Sequence, residues 1–243
     1  ARAMLEQLAE ADADTLERQA DAVLHGTGAG LDLAAAPIIG AALQVYFTHL
    51  VTAVQAHHGP RGDAFGRTDD EALCPCCGSR PTASLTRTAG EATGQRYLHC
   101  ALCNTQWHLV RIKCTHCGDT EKIAYQALDA TDGGRVTGDA SPTDDLEGSA
   151  SRAEDAEGGA SRAETAEGGA TRAALAPLQA ETCDACGHYL KIMHTERDPF
   201  VEPVADDLAS VTLDLLVSDA GWRRHGLNLL MWFGEPPPDP GAG

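Results

Sequence analysis

The sequence predicts an α+β protein with an N-terminal helical domain, two zinc-ribbon-type four-cysteine modules and a C-terminal helix. Three observations predict this arrangement. Apolar residues recur at helical spacing through residues 1–58, eight of the nine cysteines form four Cys-x-x-Cys pairs, and short strand-like runs flank those pairs. The 243 residues suffice for one large domain or two modest ones.

The N-terminal region is predicted to hold two helices. Residues 1–25 form the first, because leucine, alanine and valine recur at helical spacing and Gly26 suits a C-cap. Pro37 favours the first turn of the second helix, which extends to about His57. That helix is apolar almost all round, and its interspersed polar residues favour a buried core helix over a membrane span.

The cysteine pairs form the ligand set for two tetrahedral metal sites. They are Cys74/Cys77, Cys100/Cys103, Cys114/Cys117 and Cys183/Cys186. One tight turn places two sulfurs on an ion, and a second turn completes the shell. Chain order favours pairing the first two motifs and the last two, with interleaved pairing as the runner-up. Cys76 is interpreted as a spare thiol, and a Cys74/Cys76 chelate stays open as an alternative.

Other interpretations of the cysteines are weaker. Cysteine is too sparse for a disulfide scaffold, and no secretory segment is visible. A thioredoxin-like pair would need one motif at a helix start in a βαβ unit, whereas this chain has four motifs beside strand-like segments. An iron–sulfur cluster stays open, since four thiolates also hold clusters.

The chain divides into successive segments around these motifs. After a linker at 59–72, the first ribbon is expected over 73–113 and the second over 114–204. Strands are predicted over residues 81–88, 95–99, 106–113, 122–128 and 188–193. The second ribbon contains an insertion at 129–181, in which SRAEDAEGGA is followed by SRAETAEGGA. That insertion is predicted to be disordered because it cannot bury enough apolar surface.

The C-terminal segment over 205–234 is predicted to hold one amphipathic helix, followed by a disordered tail at 235–243. The helix is expected over Asp206–Ser218, with Asp206 or Asp207 as its N-cap.

Charge and composition exclude several classes of function. The formal net charge is −18, which makes the chain a poor candidate for binding nucleic-acid phosphate. A local basic patch could still arise from Arg87, Arg96, Arg111 and Lys113. The sequence shows no nucleophile–base set and no phosphate loop, and four cysteines suffice to close each metal site, so we do not expect an enzyme. Thiolates held by metal fit a reducing compartment.

The ordered series of motifs resembles the FdhE family of formate dehydrogenase accessory (formation) proteins. The resemblance lies in CPCCGS at 74–79, RYLHCALC at 96–103, RIKCTHCG at 111–118, ETCDACGHYLK at 181–191 and PVADDLASVTLDLL at 203–216. It extends to AALQVYFTHL at 41–50, so it covers most of the chain outside the repeat. In comparison with that family, the N-terminal helical domain looks short, as if an N-terminal portion were missing.

The resemblance implies a cytoplasmic, non-catalytic assembly factor that contacts the catalytic subunit of a respiratory formate dehydrogenase. It implies rubredoxin-like centres in which the eight paired cysteines bind iron, with zinc as the alternative metal. Redox activity of such centres is a hypothesis. The resemblance implies neither nucleic-acid binding nor membrane insertion, and the sequence leaves a homodimer open. A structural zinc-ribbon protein that binds nucleic acid or another protein is the alternative function.

Overall fold

The structure is a computed structural model that describes residues 2–28, 30–59, 65, 68–87, 94–128, 136–138 and 176–232. The helices are α1 (Arg2–Glu10), α2 (Ala13–His25), α3 (Ala36–His58), α4 (Pro203–Ala209) and α5 (Val211–Asp219). The strands are β1 (Pro81–Thr86), β2 (Arg96–Cys100), β3 (Gln106–His108), β4 (Ile123–Leu128), β5 (Val136–Gly138), β6 (Leu178–Cys183), β7 (His188–His194) and β8 (Arg223–Arg224). The predicted mixture of an N-terminal helical region and cysteine-bearing strands is confirmed.

The chain forms two compact units. The first comprises residues 1–82, 99–107 and 227–243, and the second comprises 83–98 and 108–226. The sequence-based domain boundaries stay a prediction. The tail at 235–243 and the decapeptide repeat lie outside the described residues, as does half of the linker at 59–72.

The first unit begins with two helices where the sequence predicted a single helix over 1–25. The break falls at Asp12, whose backbone is extended and whose carboxylate accepts a hydrogen bond from the Thr15 N–H at 2.7 Å. An aspartate in this role satisfies a backbone donor that the first turn of a helix leaves unpaired. The C-cap predicted at Gly26 is confirmed, with φ of 66°.

Helix α3 is amphipathic in its packing although its sequence is apolar on most sides. Ile39 and Val51 are buried in the core of the first unit, and a Cβ at Gly40 would collide with the Leu229 carbonyl. Val45 and Tyr46 are about 60% exposed. The helix is long and apolar enough to cross a membrane, and only 17% of its most apolar 18-residue stretch is buried. The predicted core helix is therefore buried along one face only.

The strands hydrogen-bond in the order β3-β2-β1-β7-β6-β4-β5, and β8 also pairs with β7. Strand β6 is antiparallel to both β4 and β7, with Cys183 opposite Ile123 on one side and His188 on the other. The Cys183–Cys186 motif thus forms the turn of the β6–β7 hairpin. The disorder predicted over 129–181 is wrong where two strands fall inside this range, at β5 and at the start of β6 from Leu178; residues 129–135 and 139–175 lie outside the described residues. Strand β3 stops at His108, well before the predicted Lys113.

A buried ion-pair network holds the C-terminal segment of the second unit. Lys191 Nζ lies 2.6 Å from Asp214 Oδ2 and 3.3 Å from Asp207 Oδ1, and Arg224 contacts each carboxylate at 2.6 Å. Tyr189 donates a hydrogen bond to Asp214 at 2.7 Å. Two cations thus balance two carboxylates away from water, which offsets the cost of desolvating them.

This network corrects the sequence-based account of the C-terminal helix. Asp207 is fully buried and ion-paired, and the N-cap of α4 is Glu202, whose carboxylate accepts from the N–H groups of Val204 and Ala205. The single helix predicted over 206–218 is two helices, α4 and α5, separated at Ser210. The Ser210 hydroxyl and carbonyl both accept hydrogen bonds from Lys191 Nζ, which fixes the break.

Replacing Lys191 by Met tests this network. We expect Lys191→Met to lower the free energy of unfolding by about 3–5 kcal/mol, because it leaves two buried carboxylates with one cation. Urea unfolding followed by circular dichroism measures the effect at equal metal content. Lys122→Met, which removes an exposed lysine of the same unit, is the matched control. A loss below about 1 kcal/mol for Lys191→Met would contradict the buried network.

Candidate metal centres

Each Cys-x-x-Cys pair lies on a knuckle turn. In the three knuckles that end in glycine, this glycine donates its N–H to the carbonyl of the first cysteine: Gly78 to Cys74 at 2.9 Å, Gly118 to Cys114 at 3.0 Å and Gly187 to Cys183 at 2.9 Å. The residue after the second cysteine has positive φ in all four knuckles: 73° at Gly78, 57° at Asn104, 76° at Gly118 and 68° at Gly187. Glycine and asparagine tolerate this conformation, so the sequence itself specifies the turns.

The structure gathers the eight sulfurs into two groups, in the pairing that chain order favoured. One group holds Cys74, Cys77, Cys100 and Cys103, and the other holds Cys114, Cys117, Cys183 and Cys186. Within each group all sulfurs lie within 4.8 Å of one another. We call these the first and second clusters.

The sulfur separations fit a shared ion rather than disulfides. Sγ–Sγ distances are 3.5 Å for Cys74–Cys103 and 3.4 Å for Cys77–Cys100 in the first cluster. In the second cluster the Cys114–Cys186 and Cys117–Cys183 distances are both 3.7 Å. A disulfide needs about 2.0 Å. Tetrahedral coordination with bonds of about 2.3 Å places sulfurs about 3.8 Å apart. Both donor sets therefore fit a tetrahedral, thiolate-bound metal ion.

The first cluster lies inside the hydrophobic core of the first unit. Cys74, Cys100 and Cys103 are buried and belong to the same apolar cluster as Ile39 and Val51 of α3. Gln44 of α3 donates to the Ala101 carbonyl at 2.8 Å, which ties the helix to the second knuckle. The backbone N–H groups of Leu102 and Cys103 donate to Cys100 Sγ at 3.3 and 3.4 Å, and such bonds stabilise a thiolate.

The close thiols of each cluster share protons, which links their charge to metal binding. The hydrogen bond between Cys100 and Cys103 raises the pKa of Cys100 and lowers the pKa of Cys103 far from the usual value. Four anionic sulfurs this close repel one another, so without a cation some retain protons. In the second cluster, burial is the main cause that raises the pKa of the Cys183 thiol to about 11. A bound ion would replace these protons, which couples metal binding to proton release.

The second cluster lies nearer the surface than the first. Cys117 is exposed and Cys186 is half-buried. Arg96 positions the knuckle that begins at Cys114: its guanidinium donates to the Lys113 carbonyl at 2.8 Å and pairs with Glu181 at 2.8 Å. Arg96 and Glu181 are buried.

This ion pair removes Arg96 from the basic patch that the sequence suggested. The Arg87 guanidinium lies over the Tyr97 ring at 4.1 Å from its centroid, so a second member of that set is engaged within the protein.

The remaining thiol and the nearby histidines occupy distinct positions. Cys76 is half-buried against the core of the first unit and is outside the first cluster, which contains Cys77. Burial raises the pKa of Cys76. His99 Nε2 lies 3.1 Å from Oδ1 of Asn104, the residue that follows Cys103. His225, which the sequence analysis missed because it lies far from every motif, is placed beside His116 and His188 by the pairing of β8 with β7.

Comparison with known proteins shows which protein family carries this series of motifs. Three family models match successive segments of the chain. Their descriptions are FdhE, N-terminal (residues 1–62), FdhE, central domain (residues 73–111) and FdhE, C-terminal domain (residues 160–231). A protein FdhE homolog of Pseudomonas aeruginosa is 35% identical over 229 residues, and a protein FdhE of Escherichia coli O9:H4 is 32% identical over 235. These alignments cover 94% and 97% of this chain.

A solved structure agrees with these relatives. The crystal structure of the FdhE protein from Pseudomonas aeruginosa matches with a TM-score of 0.69 and 34% identity, covering 96% of this chain and 65% of that one. The chain spans 60% of the length of the two curated relatives.

Removing one ligand of the second cluster tests its metal binding. We expect Cys183→Ser to lower the bound metal from two ions per chain to one, because three thiolates and a hydroxyl bind a soft ion poorly. Metal analysis of protein purified under anaerobic, reducing conditions measures the ratio. Cys76→Ser should keep both ions, since its sulfur is outside both clusters. Equal metal content in Cys183→Ser and the native chain would show that Cys183 is not a ligand.

The difference in exposure predicts an order of metal release. A chelator should remove the ion of the second cluster faster than that of the first, because Cys117 is exposed whereas the first cluster is mostly buried. Both phases should accelerate as the pH falls, since protons compete for the thiolates. A chromogenic chelator follows the two phases, and Cys183→Ser should lack the fast one. A fast phase that persists in this variant would assign the labile ion to the first cluster.

Proposed function

The chain belongs to the FdhE family, and from that premise we propose that it is an accessory factor for the maturation of a respiratory formate dehydrogenase. It acts in the cytoplasm and binds the catalytic subunit of that enzyme. The observation that carries the proposal is the pair of four-thiol clusters within a chain that matches the FdhE models in three successive segments. Its role is to hold a client protein rather than to turn over a substrate.

Each cluster is proposed to hold one metal ion. Cys74, Cys77, Cys100 and Cys103 bind the first ion, and Cys114, Cys117, Cys183 and Cys186 bind the second. An all-sulfur donor set suits a soft or borderline ion, and within that class we propose iron, with zinc as the alternative metal. Bound iron would supply one-electron chemistry, which zinc lacks.

The cysteines also contribute to the fold around each ion. Every knuckle joins elements that are distant in sequence, and cross-linking them through an ion orders small cores that are thin by themselves. In the second unit, for example, the sulfurs of Cys114 and Cys117 meet those of Cys186 and Cys183 on the β6–β7 hairpin. The ordered surface is what a client subunit would bind.

The chemistry of the clusters supports a non-catalytic role. A catalytic zinc site keeps one coordination position open for substrate, whereas four thiolates close the tetrahedral shell. The nucleic-acid alternative has less support, because the chain carries a net charge of −18 and Arg96 is buried against Glu181.

Co-purification tests the proposed function. Tagged chain is co-expressed with the formate dehydrogenase catalytic subunit, purified without oxygen and examined by visible absorption and metal analysis. We expect capture of the subunit and the coloured spectrum of a four-thiolate iron site. The double variant Cys114→Ser/Cys117→Ser should lose the second ion and the partner together, because the client surface depends on the ordered ribbon.

Cys76→Ser is the matched control, since it removes a thiol that belongs to neither four-cysteine cluster. It should capture the subunit as the native chain does. Absence of capture by the native chain would contradict the proposed partner. Capture retained by the double variant after loss of its ion would contradict the proposed dependence of docking on the second cluster.

A further inference from the structure

A strained residue lies two positions before Cys114, the first ligand of the second cluster. Ile112 has a left-handed backbone, with φ of 60°. Among the described residues, the only other non-glycine residue with positive φ is Asn104, a type that tolerates this conformation. Isoleucine tolerates it poorly, because its branched Cβ crowds the neighbouring carbonyl oxygen. A residue strained in this way persists only where its surroundings hold it in place.

Arg96 holds the chain on both sides of Ile112. Its backbone carbonyl accepts a hydrogen bond from the Leu109 N–H at 3.2 Å, and its guanidinium donates to the Lys113 carbonyl at 2.8 Å. The guanidinium also pairs with Glu181 at 2.8 Å, and both side chains are buried. The chain from Leu109 to Lys113, which we call the hinge segment, is therefore fixed at each end by one buried residue.

The knuckle that follows the hinge segment is a closed turn. Gly118 donates its N–H to the Cys114 carbonyl at 3.0 Å, and Cys114 donates its own N–H to the Asp119 carbonyl at 2.8 Å. Ile112 precedes this turn, so a change in its backbone angles would move the sulfurs of Cys114 and Cys117 together. The strained residue is thus placed where it controls half of the second cluster.

The opposite half of the second cluster is fixed by the sheet. Cys183 ends β6, where it pairs with Ile123 of β4, and β6 pairs with β7 along its whole length. Asp184 donates its N–H to the Lys122 carbonyl at 3.0 Å, which ties this knuckle to the chain just before β4. The knuckle at Cys114 joins β4 at one end and the hinge segment at the other, so it can pivot where the hinge segment yields.

We propose that Ile112 is a strained hinge that opens the second cluster when its ion leaves. While the ion is bound, two ties hold the hinge segment closed: the bond from Cys114 Sγ to the ion and the hydrogen bond from Arg96 to Lys113. Loss of the ion removes the first tie, and the strain then favours rotation at Ile112. The same strain raises the energy of the closed state and speeds release of the ion. The proposal rests on the proposed metal binding of the second cluster.

Two polar substitutions of Ile112 separate strain from the loss of its side-chain contacts. Ile112→Asn removes the apolar side chain together with the branched Cβ, and asparagine tolerates a φ near that of Ile112. Ile112→Thr removes the same apolar contacts but keeps the branched Cβ, so it is the matched control. A chromogenic chelator measures release of the second ion from zinc-loaded full-length chain. We expect release from Ile112→Asn to be about fivefold slower than release from Ile112→Thr.

Nuclear magnetic resonance of the zinc-loaded native chain measures the opening itself. The coupling between the amide and α protons of Ile112 reports its φ, which should leave the left-handed region when the chelator removes the second ion. The amide signals of Leu178 and Gln179, at the far end of β6, should stay in place and show that the unit remains folded.

Three results would overturn the hinge: equal release rates for the two variants, an unchanged φ at Ile112 after loss of the ion, or loss of the β6 signals, which would mean that the whole unit unfolds. Failure of the proposed metal binding is recognised separately, because the purified chain would then hold no ion in the second cluster to release.

Discussion

The arrangement of this protein depends on the repulsion between sulfur atoms that the fold brings together. Four thiolates with Sγ–Sγ distances of 3.4–3.7 Å cannot all carry charge unless a cation lies among them. With a cation, the same closeness becomes a cross-link between knuckles far apart in sequence. Cys114 and Cys186, separated by 72 positions, meet in this way. Loop-closure entropy grows slowly with loop length, so the repeat between them adds little to the cost of closure.

The two clusters differ in surroundings, and this difference suggests a division of roles. The first is enclosed by the helical core of its unit, where Gln44 and Ile39 of α3 pack around the second knuckle and its neighbours. The second is partly open, borders three imidazoles, and is positioned by the buried Arg96–Glu181 pair. A buried metal site retains its ion for longer, whereas a partly exposed site exchanges its ion more readily.

Local patterns predicted much of this structure, and non-local ion pairs account for most of what they missed. The knuckles follow from the Cys-x-x-Cys spacing and the trailing Gly or Asn, and Pro37 marked the start of α3. By contrast, Asp207 looked like a helix cap, because its partners Lys191 and Arg224 are distant in sequence. Arg96 looked like surface charge for the same reason. No periodicity in one sequence reveals that two opposite charges will be buried together, or that β8 will bring His225 to the second cluster.

The most direct test of the central claim is X-ray absorption spectroscopy at the metal edge of the protein purified without oxygen. Because both clusters supply sulfur alone, the account predicts a single shell of four sulfur atoms at about 2.3 Å, the same for both ions. A shell with oxygen or nitrogen in place of sulfur, or fewer than four sulfurs per ion, would contradict it.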